Sequence, residues 1–127
     1  ARDQRYARIA DLAPLFRQPG LRCVSLQLNL DPAERAAAGA GLHEAPDLDL
    51  RDDVDGVAAL VAALDRVVTI DSWILSLAGA LGVETRFLAS HRDWATLGTD
   101  RVPWAPSVAV DFVRPGGWGE AFLAAAR

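Results

Sequence analysis

Four short strand-like runs, Leu21 to Leu28, Arg66 to Ile70, Glu84 to Ala89 and Ser107 to Val113, are separated by stretches whose apolar residues recur at helical spacing. This alternation is the strongest constraint on the fold. A short buried strand followed by a helix of about ten residues is the repeating unit of a parallel sheet covered on both faces. Tyr6 to Phe16 places Ile9, Leu12, Ala13 and Phe16 at i, i+3, i+4 and i+7, the stripe of a helix buried on one side, which Pro19-Gly20 ends. Leu21 to Leu28 then reads as a strand buried on both faces. Asp31 and Pro32 open a second helix as N-cap and first helical residue, running through AERAAAG until Gly39 and Gly41 stop it. HEAPDLDLRDD reads as a loop with room for one short edge strand.

Asp53 is the expected N-cap of a helix from Val54 that hands over at Asp65 to the strand Arg66 to Ile70. Ser72 to Leu81 forms the next helix, ended by Gly82. After the strand Glu84 to Ala89 comes the aromatic and proline loop SHRDWATLGTDRVPWAP, and after the last strand the tail WGEAFLAAAR is helical. With right-handed crossovers the expected architecture is α/β, a Rossmann-like three-layer α/β/α domain with a mostly parallel sheet. The 127 residues are the size of one such domain, residues 1–127.

Composition narrows the chemistry. All 13 basic residues are arginine. Without a lysine, Schiff-base chemistry, a phosphate-loop lysine and a Ser-Lys dyad are excluded within this chain. The net charge of −4 and the scatter of the arginines argue against a nucleic-acid surface. Apolar runs end well before the roughly 20 residues of a membrane span, and ARDQRYARIAD is too polar for a signal sequence, so a cytoplasmic location is expected. The lone Cys23 reads as a core thiol. Methionine is absent even at position 1, which is compatible with processing or with a piece of a longer protein.

In such sheets ligands bind beyond the carboxyl ends of the strands, where loops lead into helix N-termini. The residues expected there are Gln27 and Asn29, then Asp71 and Ser72, then Ser90, His91, Arg92 and Asp93. Asp71-Ser72 could serve an anion through the free backbone N–H groups of the following helix. Read locally, the pair is simply what a helix start prefers, with Ser72 as an N-cap contributing about 1 kcal/mol. Asp71 would repel a phosphate, so its expected partner is a hydroxyl or the loop itself. His43 and His91 have no companions at metal-ligand spacing, and no metal site is expected. His43 reads as a loop residue, and His91 as the better placed of the two. Gly39-Ala40-Gly41 follows a helix instead of opening one and is no dinucleotide fingerprint. The acids Asp47, Asp49, Asp52 and Asp53 read as a solvated connection. Trp73, Trp94, Trp104 and Trp118 can stack on a base or sugar, but packing loops against the sheet is the commoner use.

Taken in order, LAPLFRQPGLRCVSLQ, DDVDGVAALVAALDRVVTIDSWILSLAGALGV, DWATLGTDRVPWAPSVAVDF and GGWGEAFLAAA resemble the C-terminal lobe of heptosyltransferase-like glycosyltransferases, especially those fused to tetratricopeptide repeats. The resemblance covers nearly the whole chain and is most specific in ALDRVVTIDS, LAGALG and PWAPS. It implies the Rossmann-like second half of a GT-B fold, with a nucleotide-sugar as donor substrate, no separate cofactor, and a cleft facing an N-terminal acceptor lobe. Asp71 and Ser72 match the family's Asp-Thr turn at the donor diphosphate, and Gln27 matches the glutamine of its Ser-Leu-Gln strand end. Asp93-Trp94 and Trp104 with Pro106-Ser107 resemble loops that border the cleft. Two departures stand out. Ser76 replaces a histidine on the first turn of the central helix, and Leu28 replaces a lysine. Both missing groups would steady a diphosphate as it gains negative charge, and Arg92 is the candidate substitute cation. The glycine-rich loop that precedes the first helix in that family lies outside this chain, apart from a remnant near Arg2 to Arg5. Three functions are compatible with this reading: a donor-binding lobe, a degenerate lobe that binds or assembles, and, from fold alone, a flavodoxin-like small-ligand domain.

Overall fold

In the computed structural model residues 7–127 are described; the expected start of the first helix at Tyr6 and the segment Arg2 to Arg5 lie outside them. The first helical stretch is not one continuous α-helix. A 3-10 turn over Ile9–Leu12 passes into the short helix α1, Ala13–Phe16. Pro14 has no N–H to return to the Ala10 carbonyl, and that carbonyl instead takes the Ala13 N–H, one residue closer. Leu12, Leu15 and Phe16 still bury one side, packing with Ala38, Leu42 and Phe122.

The expected strand Leu21 to Leu28 shrinks to β1, Cys23–Val24, and both residues are only half-buried. The cause is local. The Ser25 hydroxyl accepts the Gln27 N–H at 3.2 Å, giving that donor a partner inside its own turn instead of on a neighbouring strand. Cys23, expected as a core thiol, is instead half-buried against the Leu12–Phe16 cluster, and this partial burial pushes its pKa up.

Helix α2, Pro32–Ala38, starts with a reciprocal capping box in which Asp31 accepts the Glu34 N–H at 2.8 Å and Glu34 accepts the Asp31 N–H at 3.0 Å. A 3-10 turn over Gly39–Gly41 leads into β2, Leu42–His43, which pairs in parallel with β1. His43 is therefore a strand residue, with its carbonyl accepting the Ser25 N–H at 2.8 Å. The following acids behave as a connection. Asp49 accepts the Arg51 and Asp52 N–H groups, which hold its carboxyl below its usual pKa.

Asp53 caps α3, Val54–Ala63, by accepting the Gly56 N–H at 2.8 Å. Asp53→Ala is expected to cost about 1 kcal/mol, read as a lower urea midpoint with an unchanged slope. Then come β3 (Val67–Thr69), α4 (Trp73–Leu81), β4 (Thr85–Ala89), β5 (Val108–Phe112) and α5 (Trp118–Ala126). Gly82 closes α4 in the left-handed conformation, φ 70°, as the sequence led us to expect.

The fold is α/β, and every strand pair is parallel. The strands form two sheets, β1-β2 and β3-β4-β5, instead of one continuous sheet. The side chains of β4 alternate between two cores. Phe87 and Ala89 pack with Leu75 of α4 and with Ala95, Val102 and Ala105 of the long loop. Leu88 packs with Val113 and with Trp118 and Ala125 of α5. Val57 and Val61 of α3 join Ile74 and Ala78 of α4 in a third cluster, which also takes in Leu26, Leu48 and Leu50 from the loops after β1 and β2. None of the described helices is long and apolar enough to cross a membrane.

Candidate functional site

Parallel pairing puts the carboxyl ends of β3 and β4 side by side, with Thr69 in register with Phe87. The chain leaving β3 turns at Asp71 into α4, and the chain leaving β4 continues through Ser90 and His91. Asp71, Ser90, His91 and Asp93 line one cavity of about 130 Å³, with Phe87, Leu88 and Trp118 among its apolar walls. Sequence reasoning brought these four polar residues to one edge, and the structure groups them.

Ser72 occupies the N-cap position of α4 with an extended backbone, but its side chain does not cap the helix. The hydroxyl instead meets Thr69 Oγ1 at 3.1 Å, while Thr69 Oγ1 donates to the Ile70 carbonyl at 3.0 Å. Thr69 has one proton and gives it to that carbonyl, so Ser72 is the donor in the hydroxyl pair. The expectation that Ser72 acts as the N-cap is therefore corrected. The Ser72 side chain does not cap α4; the Leu75 N–H returns to the Ser72 carbonyl at 3.0 Å, and the Trp73 and Ile74 N–H groups are left to solvent or a ligand.

Asp71 accepts the Trp94 indole N–H at 3.4 Å. Trp94 stacks on Trp104, with ring centroids 6.4 Å apart and planes 8° from parallel. Trp104 in turn packs on Gly79, where an added Cβ would lie 3.0 Å from its ring and 2.8 Å from Ala105 Cβ. The pair thus runs beside α4 from Gly79 back towards the Asp71 turn, where its plain role is to pin the long loop to the helix. Trp94 remains more than half exposed. Trp118 is a core residue, and Trp73 is exposed in the first turn of α4.

Asp93 is occupied structurally. Its carboxylate accepts the Ala95 N–H at 2.9 Å, and its own N–H goes to the buried Thr96 hydroxyl at 3.1 Å. His91 Nδ1 lies 2.8 Å from the Ser90 hydroxyl in an exposed position. Arg92, the candidate substitute cation, is paired with Asp100 and lies over the Phe112 ring at 5.1 Å. Its charge is engaged beside the end of β5. Ser76 sits one turn into α4, half-buried.

Gln27 is not gathered with the Asp71 group. It lines a larger cleft of about 770 Å³ beyond the ends of β1 and β2, which shares no lining residue with the smaller cavity. Its amide contacts are long, 3.5 Å to the Asn29 carbonyl and 3.5 Å to Glu34. Three residues of this cleft had no sequence signal. Arg35 and Glu44 form a two-pronged pair at 2.8 and 3.0 Å, and Arg51 also lines the cleft. The pair holds the Glu44 carboxyl below its usual pKa and raises the Arg35 guanidinium. It arises from the parallel β1-β2 pairing, which no local spacing encodes.

Pro106-Ser107 leads into the amino end of β5, where the Ser107 carbonyl accepts the Thr85 N–H at 3.0 Å. Of this box, Pro106-Ser107 lies at the opposite edge from Asp71, while Trp104 reaches towards the Asp71 side through its stack on Trp94. A loop joining two parallel strands starts at one edge of the sheet and finishes at the other. Among the described residues no group of three or more His, Cys, Asp or Glu side chains is placed to hold a metal ion.

No family model matches the sequence, and no solved structure matches it. The chain is 37% identical over 99 residues to Protein FlbA of Caulobacter vibrioides. The match covers 75% of this chain and 17% of that protein, so the chain spans less than a fifth of this relative's length.

Proposed function

We propose that this chain is a glycosyltransferase-like nucleotide-sugar binding domain, a Rossmann-like three-layer α/β/α lobe of the GT-B kind, acting with an N-terminal acceptor lobe or helical repeats outside it. One observation supports the reading: α4 starts without a side-chain cap at Ser72, and the preceding Asp71 lines a cavity with Ser90 and His91 at adjacent strand ends. Helix-terminal N–H groups and the partial positive end of the helix suit a diphosphate. Asp71 and His91 suit hydroxyls of a ribose or sugar. The cavity is too small to enclose a whole nucleotide, which accords with a site completed by a second lobe. The match to a fraction of a much longer FlbA chain leaves room in that protein for one.

The test is a melting-temperature titration of the full-length protein with UDP, ADP, GDP and CMP. A nucleotide at 100 times its Kd should stabilise the fold by about 2.7 kcal/mol. Trp73→Pro removes one helix-terminal N–H at a position where proline is tolerated, and should abolish most of that gain. Ser72→Ala should matter less, since the Ser72 proton is given to Thr69. If no nucleotide raises the melting temperature of the intact protein, the proposal fails.

A second reading, a degenerate lobe that binds or assembles without transfer, is favoured by the engagement of Arg92. Arg92 is held by Asp100 and Phe112, Leu28 and Ser76 are neutral, and among the described residues no arginine lines the cavity at the Asp71 turn. Nucleotide binding without sugar transfer in the full-length protein would select this reading.

A further inference from the structure

The loop between β4 and β5 turns three large apolar side chains outward: Trp94 is 57% exposed, Leu97 69% and Trp104 42%. Leu97 is the most unusual of them. Among the described residues it alone, glycines apart, has a left-handed backbone, φ 48°, a conformation that crowds any side chain with a Cβ. It gains no burial in return, although its neighbours Ala95 and Thr96 are fully buried. The turn that presents it is fixed. Asp93 accepts the Ala95 and Thr96 N–H groups at 2.9 and 3.4 Å, and the Thr96 hydroxyl donates to the Asp93 carbonyl at 3.1 Å. A strained leucine held in solvent on a rigid turn is surface kept ready for contact.

We infer that Trp94, Leu97 and Trp104, with Asp71 beside Trp94, dock a short proline-rich segment of a partner protein, in the polyproline II conformation and carrying an arginine or lysine next to its prolines. Size argues for a short segment. The exposed fractions of the two indoles together amount to about one whole side chain, roughly 150–250 Å². A stable pair of folded surfaces buries about 800 Å² on each side, several times more. Hydrogen bonding argues for polyproline II. The Trp94 N–H goes to Asp71 at 3.4 Å, whereas the Trp104 N–H has no acceptor among the described residues. An incoming helix has spent its carbonyls on its own N–H groups, and an incoming strand needs a sheet edge. A polyproline II segment keeps its carbonyls free, lays its rings on aromatic faces, and is ordered before it binds, so a small contact area suffices.

Charge argues for a cation in the partner. The acids and arginines of the loop balance, Arg92 and Arg101 against Asp93 and Asp100, which leaves Asp71 to set the sign. Asp71 is exposed, and no cation among the described residues pairs with it. A partner arginine at Asp71 would also meet the face of Trp94, which attracts cations in its own right. The inference stands on this loop and does not require nucleotide binding at α4.

The experiment is isothermal titration calorimetry of the full-length protein with an acetylated, amidated peptide of six prolines ending in arginine. It should bind, and the same peptide with glutamate for arginine, or with alanines for the prolines, should bind about tenfold more weakly. Asp71→Asn should remove the preference for arginine over glutamate. Trp104→Phe keeps a ring on Gly79 but loses the N–H, and should weaken the arginine peptide about fivefold. Leu97→Gly relieves the backbone, so the melting temperature should hold while binding weakens. No binding of the proline peptide, equal binding of the glutamate or alanine peptide, or affinity unchanged in both Trp104→Phe and Leu97→Gly overturns the inference. So does a concentration-dependent dimer in sedimentation that Leu97→Gly abolishes, which would give the surface to a second copy of the chain. Trp104 and Leu97 do not line the cavity at the Asp71 turn, so the nucleotide titration should be the same in Leu97→Gly, and the two proposals fail separately.

Discussion

Phe87→Ala is expected to destabilise the protein by about 3–5 kcal/mol, the largest effect of any single change considered. Phe87 is fully buried at the centre of β4, in register with Thr69 on one side and Val110 on the other. Its ring joins Leu75 of α4 to Ala95, Val102 and Ala105 of the long loop. Truncation would leave a cavity bounded on three sides by regular structure, which can relax only in part. The loop is the side that can move, so the Asp93–Thr96 turn and the Trp94–Trp104 stack should loosen with it. Chemical denaturation measures the loss. Tryptophan fluorescence of the folded variant should shift to the red as the stack opens. A cost below about 1 kcal/mol would mean that the core does not depend on this ring.

Gly41→Ala is the second large effect. A Cβ at Gly41 would sit 2.0 Å from the Phe16 carbonyl oxygen and 2.8 Å from its carbon. Both are backbone atoms, so no rotamer change relieves the contact, and α1 must move away from the turn before β2. Overpacking of this kind costs about 1–3 kcal/mol, and the backbone clash places this case near the upper end. The denaturation midpoint should fall with an unchanged slope. Gly39, two residues earlier, is needed for a different reason: its φ of 68° is a left-handed conformation and the space around it is open.

These two glycines show where sequence reading succeeds and where it stops. Gly39-Ala40-Gly41 was legible as a helix stop, and Gly39 does stop α2. That Gly41 lies against Phe16, 25 positions away, is a contact between elements that no local pattern records. Ser72 gives the same lesson in the opposite direction. As a serine before an apolar helix it has the composition of an N-cap, yet Thr69, three residues earlier, takes its hydroxyl and leaves the helix end open. The candidate substitute cation Arg92 was placed correctly after β4, but its partners Asp100 and Phe112 come from the far side of the loop and from β5.

The sequence by itself determined the order of strands and helices after Asp53, their parallel pairing, the caps at Asp31, Asp53 and Gly82, and the edge on which Asp71, Ser90, His91 and Asp93 emerge. Those features follow from periodicity and from the backbone preferences of single residues, which act over a few positions. Tertiary structure alone decided that the strands separate into two sheets, that Gln27 and Asp71 line different cavities, and that Arg35 meets Glu44. The physical reason is that hydrogen-bond partners are assigned by competition. A donor such as the Ser25 N–H goes to the acceptor the packed chain presents, here the His43 carbonyl of β2, and that acceptor is known only once the chain has folded.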